Sequence, residues 1–183
     1  MNRLIVIMTV LLVAIAASAQ TKAERDARRK EQKRLEAIQD SINHVKAVYA
    51  LENMDFVLAA DQLQFKRGRS AFVSSSTNFV SLSDGMAVVQ VASYRGGGPN
   101  GLGGITVEGR ASGMNIKTDK KGTVYFSMHV SGVGISASVR ITLFKGSNEA
   151  SVEVNPNFHS NRITLRGKLL PYSEAGVFKG FAR

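Results

Sequence analysis

The sequence contains no cysteine and no tryptophan, and only three of its 183 residues are proline. The absence of cysteine excludes a disulfide framework, a thiol nucleophile and a thiolate metal site. Acidic residues are also scarce, with 14 Asp and Glu against 24 Lys and Arg, so the formal net charge is +10. This charge favours acidic partners without selecting one kind among them. With 44% hydrophobic residues, the chain is long enough for one domain with a sizeable core.

The first twenty residues have the pattern of a secretory signal peptide. Arg3 supplies a positive charge, residues 4–17 form an apolar run too short to span a membrane comfortably, and Ala17-Ser18-Ala19 is an A-x-A cleavage site. We therefore predict a signal peptide at residues 1–19, cleaved between Ala19 and Gln20. The product would be periplasmic or secreted and would have no transmembrane span after processing. An uncleaved membrane anchor is the alternative.

Residues 20–51 are predicted to form a charged helix, because strong helix formers dominate and glycine and proline are absent from this range. Residues 22–34 are almost wholly charged or polar. The second half carries one apolar stripe with members three and four residues apart: Leu35, Ile38, Ile42, Val45 and Tyr49. We expect this stripe to pack on the β domain or on another helix. Two heptads are too few to establish a coiled coil from sequence.

Residues 52–183 are predicted to form an antiparallel β domain. Short segments that alternate apolar and polar residues are separated by turn signals, such as Asp84-Gly85 and Asp119-Lys120-Lys121-Gly122. The pattern gives roughly eight or nine strands. It predicts a mainly β fold, either an antiparallel sandwich or a lipocalin-like open barrel, with a long N-terminal α-helix.

Two neighbouring segments predict which face of the sheet is the core. One apolar set comprises Val124, Phe126, Met128 and Val130, and the other comprises Val139, Ile141 and Leu143. We expect the two sets to pair across a hairpin and to line one interior. The opposite face, with Tyr125, His129 and Arg140, should be at least partly wet, because no register buries both faces without burying Arg140.

A glycine-rich stretch divides the β domain. Gly96, Gly98 and Gly101 match G-x-G-x-x-G, the pattern that lets a backbone approach a pyrophosphate in dinucleotide-binding folds. Such a site needs a helix after the glycines, whereas residues 105–109 alternate like a strand. We therefore interpret residues 96–104 as a long loop between two strands, of the kind that often lies at the mouth of a site.

The residues that could support chemistry are few and dispersed. The three histidines have no spacing typical of a metal pair, and no nucleophile motif is present. We expect a non-enzymatic protein with no catalytic residues, no metal and no cofactor, and no nucleic-acid partner, since the basic residues lack interleaved aromatics. The candidate ligand-binding residues, in or directly before the glycine loop and on the wet face, are Tyr94, Arg95, Asn100, Tyr125, His129 and Arg140.

Several motifs resemble a known family. They are Asn78-Phe79-Val80, the Val-Gln-Val of residues 89–91, the glycine loop, Asp119-Lys120-Lys121-Gly122 and Gly167-Lys168-Leu169. The chain is similar to small exported proteins of Gram-negative gut bacteria of the Bacteroidetes type, catalogued only as a domain of unknown function. The resemblance implies export and a β fold, and it transfers no activity or functional residue.

Two functions remain open from the sequence. The first is a non-enzymatic binding domain of the periplasm or cell envelope, which takes a small apolar or anionic ligand or an envelope component at a sheet face or barrel mouth. The second is an envelope interaction or scaffold protein that acts through its N-terminal helix. An enclosed apolar cavity would favour the first, and a filled core beside an exposed helix would favour the second.

Overall fold

The computed structural model describes residues 2–65, 68–92, 105–133, 135–157 and 162–180, with the side chains of residues 2–21 and 135 excepted. The chain divides into two units, Met1–Gln39 and Asp40–Arg183. A single helix, α1 (Asn2–Glu52), forms the described part of the first unit and continues into the second. The helix is continuous because its long run of helix-forming residues contains no glycine or proline.

The β domain lies wholly in the second unit. Its described strands are β1 (Phe56–Phe65), β2 (Ser70–Phe72), β3 (Phe79–Ser83), β4 (Met86–Val91), β5 (Ile105–Thr118), β6 (Val124–Gly132), β7 (Ile135–Leu143), β8 (Glu149–Pro156) and β9 (Ile163–Pro171). A 3-10 turn (Tyr172–Glu174) follows, and then the C-terminal segment, residues 175–180, which has no regular secondary structure.

The strands form a closed antiparallel barrel. Strands β3 to β9 pair in chain order, and β1 pairs with β3 on one edge and with β9 on the other, which closes eight strands. Strand β2 continues the β3 edge of β1 at Gln62, Leu63 and Gln64. The predicted mainly β class is therefore confirmed, and the structure is consistent with the predicted barrel, although the barrel is closed by the β1–β9 pairing and not open. The sandwich alternative is not supported, because the β1–β9 pairing closes the sheet on itself. Alternation within each strand suits both folds, so the sequence pattern alone does not separate them.

The barrel interior carries the apolar set that the two-residue period predicts. Phe126 pairs with Ile141 and Met128 with Val139, and all four side chains are buried. Phe56 of β1 contacts Phe126 edge-on, with ring centroids 5.4 Å apart. An eight-stranded barrel is just wide enough for side chains to fill its interior. The predicted inner face of β6 and β7 is thus confirmed.

Bulges account for two places where the sequence suggested shorter segments. Residues 56–58 and 63–65 look like separate apolar pieces, yet they belong to one strand, β1, whose register with β9 shifts between Ala60 and Gln62. Likewise, β5 runs without a break from Ile105 to Thr118 and shifts its register with β6 between Ser112 and Asn115. A bulge inserts an extra residue and interrupts the alternation without ending the strand.

Candidate functional site

The last turns of α1 pack on the barrel through small side chains. Ala47, Ala50 and Leu51 are buried in the same hydrophobic cluster as Phe56 and Leu58 of β1. The two alanines let the helix backbone approach the barrel closely, and Leu51 contributes a large side chain with no exposed surface. The end of α1 is therefore part of the barrel core.

Two polar contacts hold the same turns against the barrel. His44 donates a hydrogen bond from Nδ1 to the carbonyl oxygen of Ser147, at 2.9 Å, in the turn between β7 and β8. Lys46 Nζ forms an ion pair with Glu174 Oε1, at 2.8 Å, in the 3-10 turn. Both side chains are about half exposed, so this ion pair contributes little to stability.

Helix α1 ends in a left-handed cap. Met54 has a φ of 57°, and the backbone N–H of Asp55 donates to the carbonyl oxygen of Ala50 at 3.0 Å. This geometry is typical of helix C-termini, where glycine or asparagine is the usual residue. The cap turns the chain directly into β1, which begins at Phe56.

The apolar stripe of α1 is not the face that meets the barrel. Its five residues, Leu35, Ile38, Ile42, Val45 and Tyr49, keep between 47% and 66% of their surface exposed. Successive residues turn by about 100° around an α-helix, which places Ile42, Val45 and Tyr49 roughly opposite Ala47, Ala50 and Leu51. The sequence left open two partners for the stripe, and within the second unit Ile42, Val45 and Tyr49 are not buried on this chain's own barrel. The barrel uses the alanine face because the close approach needs small side chains.

The candidate ligand residues of β6 and β7 lie together on the outer wall of the barrel. Arg140 is opposite Ser127 in the β6–β7 register, so it lies between Tyr125 and His129 along the neighbouring strand. All three side chains are exposed, as the alternation predicts. Tyr94, Arg95 and Asn100, the candidates in the glycine loop, lie outside the described residues.

Each outer-wall candidate has a partner of its own. His129 Nδ1 is 3.3 Å from Ser138 Oγ, and Arg140 Nη1 is 3.9 Å from Glu153 Oε1. The hydroxyl of Tyr125 donates to Asp119 Oδ2 at 3.5 Å, a long contact. These contacts satisfy the side chains along an exposed sheet face and do not bring them to a common point. A polar outer wall of this kind is common in antiparallel sheets.

Asp119 organises the turn between β5 and β6. Its Oδ1 accepts hydrogen bonds from the backbone N–H of Thr123 at 2.9 Å and of Lys121 at 2.8 Å. These bonds, the one from Thr123 first, hold the pKa of the Asp119 carboxyl below its usual range. The residue therefore caps a turn, as the Asp-Lys-Lys-Gly pattern predicts. Within the described ranges, no group of three His, Asp or Glu side chains could hold a metal ion.

The C-terminal segment covers an outer face of the barrel that sequence reasoning missed. Gln90 points outward from β4 and is fully buried. Its Nε2 donates to the carbonyl oxygens of Thr77 and Phe178, and its Oε1 accepts from Thr106 Oγ1 and from the backbone N–H of Gly180. A polar residue at an outward strand position predicts exposure. Two of its four bonds depend on a segment 88 and 90 residues away, which no local pattern indicates.

Taken together, these elements define the class of the protein as a closed eight-stranded antiparallel barrel whose core is completed by the end of an N-terminal helix. The model of the family described as a domain of unknown function, DUF4251, matches residues 38–169. The chain therefore belongs to the DUF4251 family. This confirms the resemblance to a domain of unknown function, although it does not extend to export or to a gut-bacterial source.

The chain is similar over most of its length to a solved structure. It is the crystal structure of a DUF4251 family protein from Bacteroides eggerthii DSM 20697, with 45% sequence identity and a TM-score of 0.67. The similarity covers 78% of this chain and 96% of that chain. No curated protein matches the sequence. In the part of α1 with described side chains, no stretch is long and apolar enough to cross a membrane.

Proposed function

We propose that the protein is a non-enzymatic interaction protein of the cell envelope, exported by its N-terminal segment, and that it binds through the apolar stripe of α1. One observation carries the proposal. Five apolar side chains at helical spacing are about half exposed or more, while the opposite face of the same helix holds the barrel. Apolar side chains gathered on one exposed face are typical of interaction sites, whereas single exposed ones are ordinary.

A small-molecule site inside the barrel receives less support. The interior contains several of the largest fully buried side chains of the chain, including Phe56, Phe126, Met128 and Leu143. The end of α1 adds Leu51 to the same cluster. Side chains that pack this way occupy the volume in which lipocalin-like barrels hold a ligand. The interaction function is thus the better supported of the two that the sequence left open.

Site-specific photocrosslinking in intact cells tests the stripe. A benzoylphenylalanine replaces Val45 in the stripe or, as a matched control, Asp40, which is exposed on the other side of α1. We expect an adduct from position 45, whatever its partner, and none from position 40. The absence of any adduct at positions 42, 45 and 49 would refute the proposed function.

Export is tested separately from the interaction. The signal pattern supports cleavage between Ala19 and Gln20, so the mature protein should begin at Gln20 and should fractionate with the periplasm or the medium. Mass analysis of the N-terminus measures this directly. A mature form that retains Met1 and sediments with membranes would support the uncleaved anchor instead.

A further inference from the structure

We infer that the stripe of α1 pairs with the same stripe of a second copy of this chain, so that the protein forms a two-fold dimer through its helix. This inference rests on the proposed function, because it names the partner of the same surface. Three observations carry it: the spacing of the stripe, the residues beside it and the exposure of the helix.

The spacing of the stripe fits a short coiled-coil seam of two heptads, and the exposure of its five side chains adds the support that spacing alone does not give. Written as a heptad, Leu35, Ile42 and Tyr49 occupy the a positions, and Ile38 and Val45 occupy the d positions. A strict a/d stripe is narrower than the apolar face by which a helix packs on a globular core, and it fits the matching stripe of another helix. A helix lying on a lipid surface has a broad apolar face and a polar face rich in Lys and Arg. Residues 35–49 have a narrow stripe and one basic residue, Lys46, whereas seven Lys and Arg residues precede them in residues 22–34.

The residues beside the seam permit pairing with an identical helix. The flanking e and g positions between Leu35 and Tyr49 are Gln39, Ser41, Lys46 and Val48. Lys46 is the one charged residue among these four, and it is already paired with Glu174 of its own chain. Two identical stripes can therefore meet without opposing like charges, which is the condition for an isologous two-fold interface.

Polar residues limit the length of the seam. The heptad positions before it are Arg28 and Glu31, and the next one after it is Glu52. The seam is thus about 21 Å long, from fifteen residues that rise about 1.5 Å each. Every residue from 22 to 42 is exposed in the single chain, so this part of α1 has little tertiary packing to support it. Isolated helices are marginal in water, and a paired seam would supply the packing of residues 35–42.

Molar-mass measurement of the full-length gene product, purified as cells process it, tests the dimer. We expect light scattering and sedimentation equilibrium to give twice the monomer mass. Ile42→Asp should raise the dissociation constant about 100-fold or more, because each copy would then bury a carboxylate in the seam. The matched control, Asp40→Asn, changes an exposed residue away from the seam and should leave the mass unchanged.

Cysteine substitution tests which face pairs, since the chain has no cysteine of its own. A disulfide needs Cβ atoms about 3.5–4.5 Å apart, so only residues that face each other across an interface form it readily. In a parallel pair the a positions face each other, so we expect Ile42→Cys alone to give a covalent dimer under mild oxidation. In an antiparallel pair an a position faces a d position, so a mixture of Ile42→Cys and Val45→Cys should crosslink instead. Asp40→Cys should give no covalent dimer in either case.

The outcomes separate this inference from the proposed function. The dimer would be refuted if the protein stayed monomeric at high concentration and position 45 formed adducts with a different protein. The proposed interaction function would still stand in that case. Flotation of the monomer with vesicles of anionic phospholipid through the stripe would also overturn it. A dimer that persists in Ile42→Asp would place the interface elsewhere on the chain.

Discussion

The side-chain amide of Gln90 donates a hydrogen bond from Nε2 to the backbone carbonyl oxygen of Phe178, at 2.7 Å. This bond joins the outer face of β4 to the C-terminal segment. Beside it, Val57, Phe79 and Val88 form a small hydrophobic cluster outside the barrel, against which Ala175 and Val177 pack. An outward sheet face that would otherwise be wet is therefore dry.

Gln90 should hold the C-terminal segment in place. In Gln90→Leu, the carbonyl of Phe178 and the N–H of Gly180 lose their partners, and a group left unpaired in this way costs about 1–3 kcal/mol. We expect a loss of that size in urea titrations and faster proteolysis of residues 175–180. Gln64→Leu, on the partly exposed part of β1, is the control and should change stability within about 0.5 kcal/mol. Equal effects of the two changes would show that the amide of Gln90 has no special role.

The two faces of β6 should respond very differently to truncation. Phe126 is buried and contacts Phe56, so Phe126→Ala should cost about 3–5 kcal/mol. His129 is exposed on the other face of the same strand, so His129→Ala should cost under about 1 kcal/mol. Denaturant titration of both variants measures the difference. If His129→Ala is the more damaging change, His129 and its contact with Ser138 contribute more to stability than the exposure of His129 predicts.

Local sequence patterns predict the barrel strands well because the two-residue period is a property of each strand alone. The inner residues Phe126 and Ile141 and the turn at Asp119 follow from it directly. Closure of the barrel depends on the pairing of Phe56 with Pro171, which are 115 positions apart in the sequence (171 − 56). No periodicity encodes such a distant pairing, so the sequence pattern fits a sandwich and a barrel equally well.

For helix α1, the sequence pattern predicts the apolar stripe but not the face that packs on the barrel. Hydrophobic spacing predicts correctly that Leu35, Ile42 and Tyr49 share one stripe, yet the barrel contacts Ala47 and Ala50 instead. Alanine carries a weak hydrophobic signal, and its value at a close contact appears only when the partner surface is known. The same reasoning applies to Gln90, whose buried bonds depend on a distant segment.

Substitutions on the two faces of α1 should separate core packing from the exposed stripe. Leu51 has no exposed surface, so Leu51→Ala should cost about 2–5 kcal/mol. Ile42 is 47% exposed in the single chain, so Ile42→Ala should change the stability of the dilute monomer by about 0.5 kcal/mol. Thermal melting at low protein concentration checks both values. A large loss from Ile42→Ala under these conditions would mean that the stripe packs within its own chain.

Barrel closure should be sensitive at Gly167, where β9 passes the bulge of β1. Gly167 lies between the inward residues Leu165 and Leu169 and pairs with Ala60, directly before the register shift. A Cβ added there would meet the backbone oxygen of Ala59 and would come within 2.7 Å of Ala60 Cα. Backbone atoms on a paired strand cannot rotate away as a flexible side chain can, so the two strands would have to separate.

We therefore expect Gly167→Ala to destabilise the protein by about 3 kcal/mol or more, at or above the usual range for an overpacked core. The matched control is Gly176→Ala, because a Cβ added at Gly176 meets nothing within 4 Å. It should change stability within about 0.5 kcal/mol. Denaturant titration measures both, and hydrogen exchange of the amides in β1 and β9 shows whether the loss is local to the closing pair. If Gly167→Ala is as stable as the control, with unchanged exchange between β1 and β9, the close approach at Ala59 and Ala60 is not what holds the barrel closed.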